Sequence, residues 1–437
     1  MDPERVERHN GRLYLTGLAA SLIGNSAMTL VAGIWVKSLT GSSARAGLVS
    51  ALMYAPTLAG PAAGMLVDRV DRRRWLVAIN LVSAATILSL LGVRSADGWW
   101  LIAGAMCVYG LEEVLIGPAE DALFVQIFSD AFRRRINGRR LAIQETGRLV
   151  APLIGAGLFA LIGGGAVAAL DAATFLVAAA VSARLIVPAP TASAAAARAP
   201  ARGPAPAGDA EAEPPRARRL ASELAAGGRH ILADDALRRV TFAGAGVMAV
   251  SAVGVAAQFS LVTAVGQRPA FLGVFSAVLG AGSVIAALTS GRVITRVGER
   301  GLALAGLANF AAGNLLRATG VLPAALAGTL VLGFALPWAY LAVLNLAQRS
   351  TPDDLQGRVS AAVTLAMFGP QAPLQALGSL AISVVGFGVI YGASAVASLA
   401  LAGWLALATR GYGWTVRSIP SGFERRRASG SSSSGKP

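Results

Sequence analysis

Charge is scarce in this chain, and so are the residue types on which metal and redox chemistry depend. Only 14% of its 437 residues are charged, against ~25% in soluble domains. A single cysteine, Cys107, excludes a disulfide framework and a thiolate metal site. Two histidines, His9 and His230, both outside the long apolar runs, argue against histidine metal chemistry. No set of nucleophile, base and oxyanion donors can be assembled from the loops, so no catalytic residues, metal ligands or cofactor are expected.

What is present is apolar. Hydrophobic residues make up 55% of the chain and the mean hydropathy is +0.61. A helix needs about 20 apolar residues to cross a ~30 Å hydrocarbon core. Six runs of roughly that length fall at 13–36, 46–67, 75–93, 99–122, 141–163 and 166–187, and six more at 240–264, 269–291, 301–319, 322–346, 359–384 and 387–409. The first run is too long for a signal-peptide core and lacks a cleavage site, so it is kept as span 1. The expected fold is an all-α integral membrane protein of twelve transmembrane helices, arranged as two pseudo-symmetric six-helix bundles.

The net charge of +15 could suggest a nucleic-acid binder, but its placement says otherwise. With loops assigned alternately to the two sides, 32 of the 38 basic residues fall on one side. The other side holds Lys37, Arg45, Arg94, Arg268 and Arg317, and Arg148 lies within a span. Such asymmetry is the positive-inside signature, which puts both termini in the cytoplasm and the chain in a cell membrane as a multi-pass protein. Basic residues scattered over many loops do not line a nucleic-acid groove.

Residues 1–187 form the expected N-terminal bundle and 240–410 the C-terminal one. Between them, 188–239 is a cytoplasmic linker whose first part is too rich in alanine and proline to bury a core. Its second part, with Leu220, Leu224, Ile231 and Leu237 among charges, fits either an amphipathic surface helix or plain linker. The tail, 411–437, is expected to be disordered.

The two bundles carry a repeat. In "GMLVDRVDRRRW", residues 64–75, six charges follow an apolar run directly. Gly64, Asp68, Arg69, Val70 and Arg73 align without gaps with Gly291, Thr295, Arg296, Val297 and Arg300, an offset of 227. A second pair of loops matches too, "NGRR" from Asn137 and "QGRV" from Gln356. Internal repeats of this kind are typical of transporters whose site lies between the repeats near the midplane.

The pattern Gly64-x-x-x-Asp68-Arg69-x-Asp71-Arg72-Arg73 resembles motif A of the major facilitator superfamily, in the loop where that family places it. Asp71 replaces a common glycine, a variation associated with the drug:proton antiporter branch, which exports multiple drugs, macrolides and siderophores. The resemblance implies a latch in which Asp68 and Arg72 join an acid at the end of helix 4. That acid would be Asp121, with Glu120 as the fallback, and the latch would hold the halves together in the outward-open state. A bland reading, charges that only set topology, explains the arginines but not Asp68. Thr295 stands where a second copy would need its aspartate, so a latch there would be weaker. On span 5, Gly147, Ala151, Pro152, Gly155 and Ala156 keep the spacing of the family's antiporter motif, with alanine at two of its glycines. Small residues allow close helix approach and proline bends the helix, which suits a tight, leak-resistant seam.

Ionisable groups inside the membrane are functional suspects. Glu112 and Glu113 stand near the centre of span 4, ~20 Å from the interfacial Trp99 and Trp100 at 1.5 Å per residue. On a helical wheel Val108, Leu111 and Leu115 form one apolar stripe; Glu113 lies almost opposite and Glu112 to the side. Glu113 is therefore the leading candidate to carry a coupling proton, with Glu112 second. Arg148 on span 5 could instead pair with Glu113, or with Glu145 one turn earlier. Helices 1, 4, 7 and 10 line the cavity in the family, which makes Asn25, Gln258, Trp338 and Tyr340, with Arg148, the expected substrate contacts; Gln371 and Gln375 are further polar residues in mid-span. Each of these fits a satisfied packing role as well.

A mostly apolar cavity suits an amphiphilic drug or secondary metabolite. The chain therefore reads as a secondary active transporter, a proton-coupled exporter working by alternating access. Its partners would be a small molecule, protons and the bilayer, and it would function as a monomer. The rival readings are a transporter of a siderophore, lipid or nutrient, inward as well as outward, and a non-transporting membrane sensor.

Overall fold

The computed structural model describes residues 3–59, 70–187, 216–352 and 355–408, and among these it contains helices and turns but no strand. The alanine- and proline-rich first part of the linker and the tail at 411–437 lie outside the described residues. Six helices build the N-terminal half: α1 (Pro3–Thr40), α2 (Ser43–Tyr54), α3 (Arg72–Ser89), α4 (Trp99–Ile127), α5 (Asp130–Ile162) and α6 (Gly164–Arg184). After α7 (Arg216–Ala233) come α8 (Asp235–Val253), α9 (Ala257–Ala264), α10 (Leu272–Ala318), α11 (Leu322–Ser350), α12 (Gln356–Phe368), α13 (Gln371–Ala381) and α14 (Phe387–Ala408). The linker residues 216–233 do form a helix, and its Gly227 lies directly against the backbone of Arg358 at the start of α12.

These elements make twelve membrane passes. Eight helices among the described residues are long and apolar enough to cross a bilayer. One of them, α10, has 47 residues, about 70 Å at 1.5 Å per residue and so twice the membrane thickness. It is two spans, turned back at Gly298, whose φ of 69° is open to glycine and costly to other residues. Spans 7 and 11, expected as continuous, are each broken. The first breaks between Val253 and Ala257, and the second at Gly369-Pro370, where proline removes a helical donor. Span 5 begins well before its apolar run because α5 extends as a charged helix from Asp130, capped by Ser129.

The exterior is greasy as well as the core. Leu161, Leu288, Val384 and Val396 are each at least 66% exposed, an arrangement that only a lipid surround makes favourable. We call the face carrying the ends of the described chain the terminal face and the opposite one the far face. Each half is tied to itself at the terminal face by the same device. Arg73 donates to the carbonyl of Leu185 just after α6 (3.2 Å), and Arg300, 227 positions on, donates to the carbonyl of Ala406 in α14 (2.9 Å). A cation at the C-terminal carbonyls of a helix also meets the negative end of its dipole.

The halves meet at the far face. One core cluster draws residues from both, including Ile34, Ala46 and Ala156 with Phe259, Phe275 and Tyr391; the other three clusters each stay within one half. Three glycines make the approach possible. A Cβ on Gly33 would come within 2.5 Å of the Phe259 ring, one on Gly47 within 2.5 Å of Ala256 and Ser379, and one on Gly273 would collide with Ala156. Ser260 adds a hydrogen bond to Ser43 across the seam (2.7 Å), and Lys37 donates to the same Ser43 oxygen (2.9 Å).

Candidate functional site

Helix α4 has two exposed stripes. One carries Val108 and Leu111 and is wholly apolar; the other carries Glu113, Gly117 and Asp121. In a membrane the apolar stripe belongs against lipid and the carboxylates belong against a space that water or a polar partner can reach. Consecutive residues on a helix diverge by ~100°, so Glu112 and Glu113 face different surroundings. Glu112 is turned inward, 5% exposed, beside Ser83 of α3, and neither of its carboxyl oxygens makes a well-formed hydrogen bond among the described residues. Glu113 is exposed and accepts a hydrogen bond from the side-chain amide of Asn25 on α1.

Two residues singled out separately are thus brought together. Asn25 sits where α1 crosses α4, its main-chain carbonyl accepts from Thr29 (2.7 Å), and its own side-chain oxygen is buried and unpartnered. The side chains of Arg148 and Glu145 lie outside the described residues.

A third acid was not anticipated. Asp171 on α6 is fully buried and packs against Gly24, the residue before Asn25: a Cβ at Gly24 would collide with both Asp171 and Thr174. Thr174 offers Asp171 one long hydrogen bond of 3.4 Å, and the second carboxyl oxygen has none. Tyr109, buried edge-on against Phe175 with its hydroxyl unpartnered, lies within electrostatic reach of Asp171, Glu112 and Glu113. The signal was in the sequence, since Asp171 is an ionisable residue inside span 6. It stands two turns from the helix start at Gly164, where a charge passes for an interfacial one.

The remaining candidates are spread over the molecule. Trp338 donates its indole N–H to the carbonyl of Ala286 (3.1 Å), a packing bond within the C-terminal half. Tyr340 packs edge-on against Phe368, Gln258 is half-buried on α9, and Gln375, 2% exposed, donates to Gln371 (3.2 Å). On α5, the antiporter-motif residues do pack closely. Gly155 lies where a Cβ would be 2.6 Å from that of Ala27, Gly147 faces Leu22, Ala151 is fully buried, and Ala156 and the Pro152 carbonyl meet Gly273 of the other half.

Of the motif A residues, Gly64, Asp68 and Arg69 lie outside the described residues. Asp71 caps α3 through the Arg74 amide (2.9 Å), and Arg72 reaches Gln126 at the end of α4 (3.5 Å). Asp121 is engaged by Arg140 of α5 (2.9 Å), whose guanidinium also lies over Phe124. Arg72 and Asp121 are therefore on different partners in this state. In the second copy, Thr295 bonds its own helix (to the Arg292 carbonyl, 2.9 Å), while Glu299, 5% exposed, pairs with Arg349 of α11.

Comparison with known proteins agrees with this architecture. The Major Facilitator Superfamily profile matches residues 13–265. Macrolide efflux protein A of Streptococcus pyogenes is 23% identical over 175 residues, 39% of this chain and 43% of that protein, so the match spans under half of the relative's length. Among solved structures, the nucleoside transporter NupG superposes with a TM-score of 0.66 at 12% identity, covering 94% of this chain and 100% of that one. A bacterial homologue of the iron transporter ferroportin in an inward-facing state gives 0.65 at 14% identity, covering 92% and 99%. At such identities these structures speak for the fold alone.

Proposed function

This chain belongs to the major facilitator superfamily, and from that membership we propose that it is a proton-coupled exporter of an amphiphilic compound. It would work from a cell membrane with both termini in the cytoplasm. The observation that carries the reading is the Glu113 carboxyl, exposed on the polar stripe of α4 and held by Asn25 of α1. Export against a gradient needs a group that is neutral in one access state and ionised in the other. A carboxyl meets that need, and desolvation in a closed cavity favours its neutral form while wetting favours the ion. A cationic amphiphile would compete with the proton for the same oxygens.

The far-face seam fits one half of the cycle. With the termini cytoplasmic, contact at the far face is the inward-facing state, and the family latch belongs to the opposite one; Asp121 on Arg140 and Arg72 on Gln126 suit a released latch. Export is supported by the efflux relative and by the small-residue packing of α5, and the macrolide in that relative's name gives a first probe. Proteoliposomes holding the full chain and a radiolabelled macrolide, with a susceptibility panel in an efflux-deficient host to widen the substrate list, test the reading. We expect macrolide movement that accelerates when a pH gradient is imposed. Movement indifferent to the gradient, for every compound the panel identifies, overturns proton coupling.

A further inference from the structure

The interior of the N-terminal half holds a second polar feature beneath Asp171. A cavity of about 30 Å³ lies among α1, α3, α4 and α6, lined by Tyr14, Ser21, Glu120 and Ser182 together with apolar side chains. A site of this kind needs only about 10–15 Å³ and some polar partners to hold a water. The Tyr14 hydroxyl, on a side chain 8% exposed, is buried on the cavity wall with no partner among the described residues.

Three helices run from this cavity to the acids. On α1, Tyr14, Ser21 and Asn25 follow at helical spacing, so Ser21 is one turn, ~5 Å, from the Gly24–Asn25 pair that touches Asp171 and Glu113. On α4, Glu120 lies seven residues from Glu113 on the same side, and on α6, Ala178 of the cavity lies seven from Asp171. Among the described residues the charged neighbours are few. Asp171 faces Tyr109, Glu112 and Glu113 of α4; Glu120 faces Tyr14 of α1, Arg140 of α5, and Asp121 and Glu113 of its own helix. Arg140 and Asp121 stand at the terminal face, the first half-buried and the second exposed. Asp171 has no cation partner among the described residues, and an ionised carboxylate buried without one is expensive.

We propose that a proton path runs inside the N-terminal half, from Glu120 and Tyr14 through water in this cavity to Asp171 and on to Glu113, apart from the space where the substrate binds. The inference rests on the proton-coupled reading above. It answers a need of that reading: an amphiphile seated on Glu113 covers the acid it has just deprotonated, and the displaced proton must leave by another way. Glu113 gives the proton up to Asp171, water past Ser21 carries it the ~10 Å from Asp171 to the cavity at Ala178, and Glu120 releases it beside Arg140 and Asp121.

The test uses D2O as the only probe, so it needs no substrate. Infrared spectra of the full chain in lipid vesicles report protonated carboxyl groups and their exchange. We expect Asp171→Asn to remove one slowly exchanging carboxyl band. Ser21→Leu, which fills the cavity, should slow exchange of that band about tenfold, as ~1.4 kcal/mol of added barrier would, with Glu120→Gln acting in the same direction. Exchange at Glu113, which is exposed, should not change. If Asp171→Asn does not fold, Ser21→Leu and Glu120→Gln carry the test alone. Wild-type exchange in both variants, or a band that survives in folded Asp171→Asn, overturns the path. Failure of gradient-driven flux with this exchange pattern intact would instead count against the proton-coupled reading and leave the path standing.

Discussion

The two halves share a scaffold and differ in chemistry. Both are six-pass bundles, and both use a motif arginine, Arg73 or Arg300, to hold the end of their own last helix. Yet Glu112, Glu113 and Asp171 all stand within spans of the first half, while residues 240–408 contain only Glu299, Asp353 and Asp354 as acids, all between apolar runs of the sequence. Aromatic pairs are common to both halves, Tyr109 on Phe175 in the first and Phe334 on Trp338 and Tyr340 on Phe368 in the second. The repeat preserved what fold and rocking require and let the ionisable groups diverge. In this account the first half handles protons and the second supplies apolar wall.

The largest effect should come from the seam where the halves meet. Gly47→Val and Gly273→Val place side chains where Ser379 and Ala156 already are, so the far face cannot close and transport should be lost with insertion intact. Spin labels at Arg45→Cys and Arg268→Cys on a Cys107→Ser background should then show longer separations than in the parent. Unchanged separations would mean the seam tolerates bulk and the two halves meet elsewhere.

Next in size is the proposed latch, for which only the first half carries the aspartate. Asp68→Asn or Arg72→Ala should lower transport strongly at normal abundance by shifting the conformational balance about 1–3 kcal/mol. Thr295→Val, at the matching place in the second half, should be nearly silent in the same flux assay. Equal losses in the two halves would erase the asymmetry.

The shared device predicts the opposite result, equality. Arg73→Ala and Arg300→Ala each remove a charge-assisted bond to a helix end, about 1 kcal/mol or somewhat more, and should lower the thermal midpoint of the purified protein by similar amounts. The smallest effect should be Trp338→Phe, which gives up only the bond to Ala286, leaving a small loss in stability and near-normal pH dependence of flux.

Much of this was legible in the chain. Runs of apolar residues placed the spans, because membrane thickness sets their length, and the offset of 227 placed the two arginines that turn out to do the same work. The helical wheel separated Glu113 from Glu112 in direction, since that depends on α4 alone. What needed three dimensions was everything set by crossing points. Asn25 and Glu113 are 88 residues apart and meet only where α1 crosses α4, and Gly24 shows its purpose only beside Asp171. The breaks at 254–256 and in span 11 interrupt runs whose apolar character continues, so hydropathy passes over them. The partners of Asp121 and Arg72, Arg140 and Gln126, lie on other helices, the second 54 residues away, which no local pattern records.

The division of labour between the halves is tested most directly by substrate flux in proteoliposomes with and without an imposed pH gradient, for wild type, Glu113→Gln, Glu112→Gln and the double variant. The account predicts that Glu113→Gln abolishes gradient-driven flux while the folded protein still exchanges substrate down its own gradient. Wild-type gradient-driven flux in the double variant would contradict it and make both glutamates structural.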